Sequence, residues 1–437
     1  MRLLIKNGHI IDPSQGIDGI GDILIEDGKI KEVRIQNTVV RSQKTEKRVQ
    51  DKDHESNYKI VEAKGMVVLP GLIDMHVHLR EPGFEYKETI KTGTMAAVKG
   101  GFTTVCCMPN TLPVNDNASV TEFIIRKASQ EGVCTVLPIG AITKSQKGEE
   151  IAEIGAMKQE GCIAFSDDGK PVMNSLIMRR ALEYSRAFNV PIISHCEDLI
   201  LAQGGVMNEG LLSVTLGLKG IPSEAEVIMV YRDISLAELT GGRLHIAHVS
   251  TEGSVKLIRD AKKRGVSVTA ETCPHYFSLT EESVRDYDTN AKVNPPLRTK
   301  RDIEAIKEGI KNGTIDVITT DHAPHHADEK LKEFDLAPPG ISGLETALGL
   351  SIKLVEEGIL TMGEIIEKMA LNPAKILQID KGTLKVGSEA DLNIVDKNKE
   401  FKVESKKFFS KGKNTPFEGW VLKGVPILTI CKGKIYE

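Results

Sequence analysis

His76-Val77-His78 sets two imidazoles two residues apart. Side chains on an extended strand alternate with a period of two, so both rings project to one side and can reach one metal ion. A lone pair of this kind also fits two strand histidines satisfied by backbone hydrogen bonds. Asp168, His195, His248 and Asp321 strengthen the metal alternative, because each, like the histidine pair, closes a short apolar run. Nitrogen and oxygen ligands without cysteine suit zinc, with manganese or cobalt as substitutes. Six ligands exceed the needs of one tetrahedral ion and fit two ions that share a bridging carboxylate. Six unrelated polar groups gathered at one place would strand several charges without partners.

The runs carrying these residues alternate with helix-length segments between about Leu69 and Leu377. They are Gly71–Leu79, Phe102–Met108, Cys134–Ile142, Cys162–Phe165, Val190–Ser194, Leu244–Val249, Val266–Ala270 and Asp316–Thr320. Alternating β and α units predict a parallel sheet, and eight of them predict an α/β fold closed as a (β/α)8 barrel of the TIM type. An open doubly wound sheet is the rival, but no Gly-rich phosphate fingerprint follows the first run. In a barrel the carboxyl ends of all strands converge on the face where barrel enzymes place their chemistry. Four histidines and at least two carboxylates then meet in one cavity.

Both ends of the chain have a different texture. Leu3-Leu4-Ile5, Ile10-Ile11 and Ile23-Leu24-Ile25 are punctuated by Asn7-Gly8, Pro13-Ser14 and Asp27-Gly28, and Asp391–Val395 and Ile427–Ile430 repeat the pattern. Neither end has enough apolar residues for its own core. Residues 1–68 and 381–437 are therefore expected to pair into one small β-domain, with the barrel, 69–380, inserted between them. The mixed-charge stretch Asn37–Lys59 reads as a solvated loop.

Composition removes several function classes. The chain has 437 residues, with 57 Lys+Arg against 61 Asp+Glu, a net charge of −4 that leaves no basic footprint for nucleic acid. Aromatic residues at 4 % give no stacking platform for single strands. The most apolar stretch, Met66–Leu79, carries Asp74, His76 and His78 and is too short for a membrane span. Seven scattered cysteines without a CxxC read as small buried hydrophobes in a reducing cytoplasm. A small molecule is the expected partner of the site.

The motifs carry a family resemblance. Asp74-Met75-His76-Val77-His78-Leu79-Arg80-Glu81-Pro82-Gly83 and Thr320-Asp321-His322-Ala323-Pro324-His325 resemble the two signatures of the dihydroorotases. Met108–Thr111, Phe165–Gly169, His195–Asp198, His248–Thr251 and Asn294–Arg298 complete the pattern in order. The likeness is to the longer, class I bacterial type within the amidohydrolase superfamily, although Asn37–Lys59 is longer than that class leads one to expect.

That resemblance implies two zinc ions per subunit, the first held by His76, His78 and Asp321, the second by His195 and His248, with Asp168 bridging. Many superfamily members bridge with a carboxylated lysine, and here Ser166 follows Phe165 instead. The implied chemistry is the reversible interconversion of N-carbamoyl-L-aspartate and (S)-dihydroorotate plus water, in pyrimidine (UMP) synthesis. A hydroxide bridging the ions attacks the amide, and Asp321 moves the proton. A free substrate carboxylate calls for a bidentate cation, met by Arg80 with Asn110 and His325, while Asn294 and the Pro339-Gly340 backbone are implied to contact the ring. Glu271 and Glu197 are candidates to orient an imidazole, and His245, three residues before His248, is expected to face away. The Gly/Pro-containing stretch His326–Gly343 is either a lid or a static cover. Allantoinase and the hydantoinase/dihydropyrimidinase group are the nearest rivals. A metal-less scaffold for aspartate carbamoyltransferase is disfavoured by the intact ligand set, without excluding association with that enzyme. A homodimer is the default assembly.

Overall fold

The computed structural model describes residues 2–36 and 58–437, so most of the charged stretch expected over 37–59 lies outside the described residues. The N-terminal part supplies β1 (Arg2–Asp12), β2 (Ile17–Glu26), β3 (Lys29–Ile35), β4 (Lys59–Glu62) and β5 (Val67–Pro70). The middle supplies β6 (Leu72–Val77), β7 (Phe102–Cys107), β8 (Thr135–Gly140), β9 (Ala164–Ser166) and β10 (Ile192–Ser194). A two-stranded pair, β11 (Met207–Asn208) and β12 (Gly220–Ile221), precedes β13 (Leu244–Ile246), β14 (Val268–Thr272) and β15 (Val317–Ile318). The C-terminus supplies β16 (Leu392–Lys402), β17 (Val421–Cys431) and β18 (Lys434–Tyr436).

Eight parallel strands run in the order β6-β7-β8-β9-β10-β13-β14-β15. β6, β7, β9, β10 and β13 are buried at every residue, because both faces of such a strand are covered. The seam between the first and last strands closes through a bridge from Val77 to His322, with His78 N donating to His322 O at 2.8 Å. Across the same seam Asp74 Oδ2 accepts from the Thr320 hydroxyl at 2.6 Å. Met75, Cys106, Ile139, Ala164, Ile193 and Val317 fill the barrel interior, stoppered by Ile376 and Leu377. The helix Ile90–Lys99 follows β6, capped by Thr89, and carries Gly93 where a Cβ would come within 2.5 Å of Leu79. A larger residue there would have to displace the Leu79 side chain.

The second sheet runs β18-β17-β16-β5-β1-β2-β3, with β4 beside β1. β16 pairs with β5 from Leu392↔Pro70 to Val395↔Val67, which joins the two ends of the chain. Leu3, Ile5, Ile23 and Ile25 share one core with Leu392, Ile394, Leu428 and Ile430. The molecule is thus an α/β barrel with an added β-domain built from both termini. The connection between β16 and β17 leaves this sheet and reaches the mouth of the barrel, where Asn414 bonds to residues that follow β15. All seven cysteines are buried and free. Among the described residues, no helix is long and apolar enough to cross a membrane.

Candidate metal centre

His76 lies in β6, and the other ligand-type residues stand just beyond strand ends: His78 after β6, Asp168 after β9, His195 after β10, His248 after β13 and Asp321 after β15. All six are buried. Asp168 is the hub. Its Oδ1 lies 3.3 Å from His76 Nε2, 3.6 Å from His195 Nδ1 and 3.5 Å from His248 Nε2, and its Oδ2 lies 3.5 Å from His78 Nε2. Asp321 Oδ1 is 3.1 Å from His78 Nε2 and 3.5 Å from His76 Nε2. Two groups meet metal-site spacing, His76/His78/Asp168 and Asp168/His195/His248, with ligand atoms within 4.8 Å of one another. Asp168 belongs to both.

The donor set fits divalent ions. His76 Nε2 and Asp168 Oδ1, which face each other at 3.3 Å, are buried without a hydrogen-bond partner, an arrangement that leaves costly orphan lone pairs unless a cation takes them. The charge balance asks for the same thing. Burial opposes charge on His76, yet Asp168, Glu271 and Asp321 together hold its imidazole well above the ordinary value. Burial likewise opposes charge on His195, but the carboxylates of Asp168 and Glu197 beside it bring it up to about 10. Surrounded by these histidines, Asp168 is held well below the usual carboxylate range despite its burial. The carboxylates therefore demand positive charge at this centre, supplied by protons or by metal.

Three of the four imidazoles, those of His76, His78 and His195, are aimed from behind. His76 Nδ1 donates to Glu271 Oε1 at 2.6 Å, and His245 Nε2 holds Glu271 Oε2 at 3.1 Å. His245 is held in turn by Thr269 Oγ1 at 2.7 Å. His78 Nδ1 donates to Asn110 Oδ1 at 2.9 Å, which fixes the tautomer and leaves Nε2 for the centre. Glu197 Oε2 approaches His195 Nε2 at 3.5 Å and accepts from Asn294 Nδ2 at 3.2 Å. Asp167 faces elsewhere: it accepts from Ile142 N at 2.8 Å and Thr143 N at 3.1 Å and so ties down the neighbouring loop. Arg80, His248 and Asp321 all have left-handed backbones, with φ of 62°, 32° and 45°. Strain of this kind costs about 1–3 kcal/mol per residue and persists where surrounding structure imposes it.

Beside the centre, Arg80 NH2 lies 3.4 Å from His325 Nε2, and Arg80 Nε donates to Pro324 O at 3.3 Å. His325 Nε2 donates to Pro339 O at 2.9 Å, while Lys87 Nζ donates to its Nδ1 at 3.3 Å. Burial together with Arg80, Lys87 and Lys330 pushes the His325 imidazole down, so it stays neutral. Gly340 has a φ of +146°, and a Cβ there would come within 2.6 Å of Ala323 O. Its N–H donates to Lys292 O at 2.8 Å. Glu197, Asn294, Lys292 and Pro339 line a cleft of about 660 Å³ that opens beside His195. The stretch expected as a lid or cover is lashed from below: Lys292 Nζ donates to Phe334 O at 2.6 Å and Lys330 Nζ to Pro338 O at 2.9 Å.

The chain as a whole is similar to known proteins. A family model described as "Dihydro-orotase-like" matches residues 65–254. A dihydroorotase of Acetivibrio thermocellus is 58 % identical over 435 residues, covering 99 % of this chain and 98 % of its own. One from Geobacter metallireducens is 57 % identical, covering 100 % of this chain and 99 % of its own. The chain belongs to the dihydroorotase family. Among solved structures, the L-hydantoinase (dihydropyrimidinase) of Arthrobacter aurescens superposes with a TM-score of 0.85 at 26 % identity, over 99 % of this chain and 95 % of that one. Divalent metal is the cofactor that this dihydroorotase-family barrel takes.

Within that dihydroorotase framework, the residues expected from sequence fall into two sets. His76, His78, His195 and His248 converge on Asp168, Asp321 stands beside His76 and His78, and Arg80 meets His325. Asn110 and Asn294 touch the ligand-type histidines His78 and His195 themselves. The polar backbone groups of Pro339 and Gly340 are already engaged by His325, Lys292, Lys330 and Asn414. His245 was expected to face away, yet it braces Glu271 behind His76. His248 lies beyond the end of β13 with a positive φ, so strand alternation does not relate the two histidines. His275 sits on the short helix Pro274–Ser278, with its Nε2 buried and unpartnered. Lys87 and Asn414 carried no motif signal.

Proposed function

We propose that this dihydroorotase is of class I, holds two zinc ions, and interconverts N-carbamoyl-L-aspartate with (S)-dihydroorotate plus water. The observation that carries it is Asp168, shared by both ligand-spaced groups. His76, His78 and Asp321 would hold one ion, His195 and His248 the other, and Asp168 both. Bound there, the ions supply a water of lowered pKa and a Lewis acid for the reacting carbonyl. Asp321 accepts the proton as water adds to the ring amide carbon, and returns it to the nitrogen as the C–N bond breaks. In the reverse direction the ureido nitrogen gives its proton to Asp321 as it adds to the protonated side-chain carboxyl carbon, and Asp321 returns that proton to the hydroxyl, which departs as water when the C–O bond breaks. Arg80 grips the free carboxylate through its guanidinium fork, with His325 at its side. Asn110 spends its carbonyl oxygen on His78 and keeps its amide N–H groups for the ligand. Asn294, bonded to Glu197, meets the ring from the cleft side, and Pro339 forms part of the cleft wall with Gly340 next to it in the chain.

The setting that goes with this activity is a cytoplasmic homodimer, able to associate with aspartate carbamoyltransferase. Buried free cysteines suit a reducing compartment.

Turnover of N-carbamoyl-L-aspartate, dihydroorotate, allantoin and dihydrouracil, with zinc content on the same sample, is the test. Activity confined to the first two, with close to two metals per chain, is expected. Metal without turnover of those two would refute the assignment, and allantoin or dihydrouracil turnover would move the chain to a sister hydrolase. Asp321→Asn is expected to lose roughly 10²–10⁴ in turnover, and full metal content with undiminished turnover would remove Asp321 from proton transfer.

A further inference from the structure

Asn414 lies between β16 and β17, outside every motif of the site, yet its side chain is buried against two active-face loops. Its Nδ2 donates to Ala323 O at 3.1 Å and to Gly340 O at 2.8 Å. Its Oδ1 accepts from His325 N at 3.0 Å and from the Ser342 hydroxyl at 3.1 Å. Its backbone oxygen accepts from Ser342 N at 2.7 Å. Every polar atom of the carboxamide is thus spent on the segment after Asp321 or on the segment around Gly340. Gly412, two residues earlier, packs on Pro324 so closely that a Cβ there would come within 2.5 Å of it. Ser410 Oγ docks on Glu88 at 2.5 Å.

We propose that Asn414 is a positioning residue for substrate binding: it sets His325 and Gly340 relative to Asp321, and so shapes the carboxylate side of the pocket. The inference rests on the dihydroorotase reading of that pocket. The two loops already meet through Ala323 N donating to Ile341 O at 2.8 Å, and among the described residues Asn414 is the side chain that bonds both Ala323 O and Gly340 O, so its amide fixes the carboxylate end of that junction. His325 has its ring oriented by Lys87 and Pro339, but its backbone is held by Asn414. Asn414 lies on the carboxylate side and contacts none of the six ligand-type residues, so its loss loosens substrate grip without disturbing metal or proton transfer.

The test is Asn414→Asp and Asn414→Ala, assayed for dihydroorotate hydrolysis with metal content and thermal melting on each sample. The aspartate variant keeps the acceptor but replaces both donors with an oxygen facing two carbonyls. Both variants are expected to raise KM roughly tenfold, about 1.4 kcal/mol of binding, with kcat within about threefold and metal content unchanged. A KM equal to wild type in a folded, metal-loaded variant overturns the inference while leaving the activity of the parent intact. A parallel loss of kcat and metal overturns it too, by making Asn414 a general support of the barrel mouth. Should both variants fail to fold, Ser342→Ala decides. It removes one bond to the carboxamide and is expected to raise KM about threefold, and an unchanged KM refutes the role. A wild-type protein that holds metal yet turns over neither dihydroorotase substrate overturns the functional assignment itself, and this inference with it.

Discussion

Replacing Glu271 by Gln tests whether charge behind His76, beyond hydrogen bonding, tunes the metal centre. Glu271 is fully buried and bonded to His76 at 2.6 Å and His245 at 3.1 Å. The amide is nearly isosteric. Its oxygen can still accept from His76 Nδ1, while its N–H₂ turns to His245 Nε2. His245 can accept that bond by moving its proton to Nδ1, which faces Thr269 Oγ1 at 2.7 Å. Shape and hydrogen bonding therefore survive, and the lost quantity is one negative charge beside His76. A charge-assisted bond is worth about 1.5–3 kcal/mol and a neutral one about 0.5–1.5 kcal/mol, so the His76 ligand weakens by about 1–1.5 kcal/mol. That is close to tenfold in zinc affinity, the lower end of the roughly 10–100-fold losses found when partners of metal-bound histidines are changed. Competition against a chromogenic chelator measures it, with melting of the metal-free protein as the control for folding. A folded Glu271→Gln protein with zinc affinity within twofold of wild type would refute the reasoning.

Other expectations follow from the same geometry. Arg80→Lys keeps the charge but loses the fork, and dihydroorotate KM should rise about 10–100-fold with little change in kcat; steady-state kinetics with an unchanged KM would put the carboxylate elsewhere. Zinc binding should release protons, since His76 and His195 are held above their ordinary values and a metal must displace those protons, so affinity falls as pH drops; calorimetry in two buffers of different ionisation heat would contradict this by finding no release. Burial raises the Glu345 carboxyl to about 7, so the stability tied to its neutral form is present below about pH 4.3 and lost as pH climbs through 7. Glu345→Gln keeps the oxygen that accepts from Phe409 N and Ser410 N and should raise the melting temperature more at pH 8 than at pH 5; an equal gain at both would exclude the titration.

The barrel was legible because its strands are short Val/Ile/Thr runs spaced by helix lengths, and the cluster of ligand-type residues was legible because each stands at or near the end of such a run. His76 and His78 needed only the period of a strand. Glu271 was harder: β14 extends to Thr272, two residues beyond the run read from sequence, and the extension places Glu271 inside the strand. Its partner His76 is 195 residues away, a distance that no local pattern encodes. His245 escapes the period of a strand because alternation fails where His248 takes a positive φ. Asn414 stands in Lys411-Gly412-Lys413-Asn414-Thr415-Pro416, a string with the texture of any turn. Its role exists only once the connection between β16 and β17 has crossed to the barrel mouth. The orientation of Pro339 and Gly340 likewise depends on Lys292, Lys330 and Asn414, each contributed by a different part of the chain.

The seam between β6 and β15 gives the protein a schedule. His78 and Asp321 are 243 residues apart yet meet across the line where the barrel shuts. A ribosome adding roughly 5–20 residues each second takes roughly 12–50 s to cover that interval. For that time the nascent sheet has two open edges, Asp74 has no Thr320 to bond, and His78 has no Asp321 opposite it. Newborn chains are therefore inert at least until β15 emerges, and shutting the barrel and bringing Asp321 to His78 are one event.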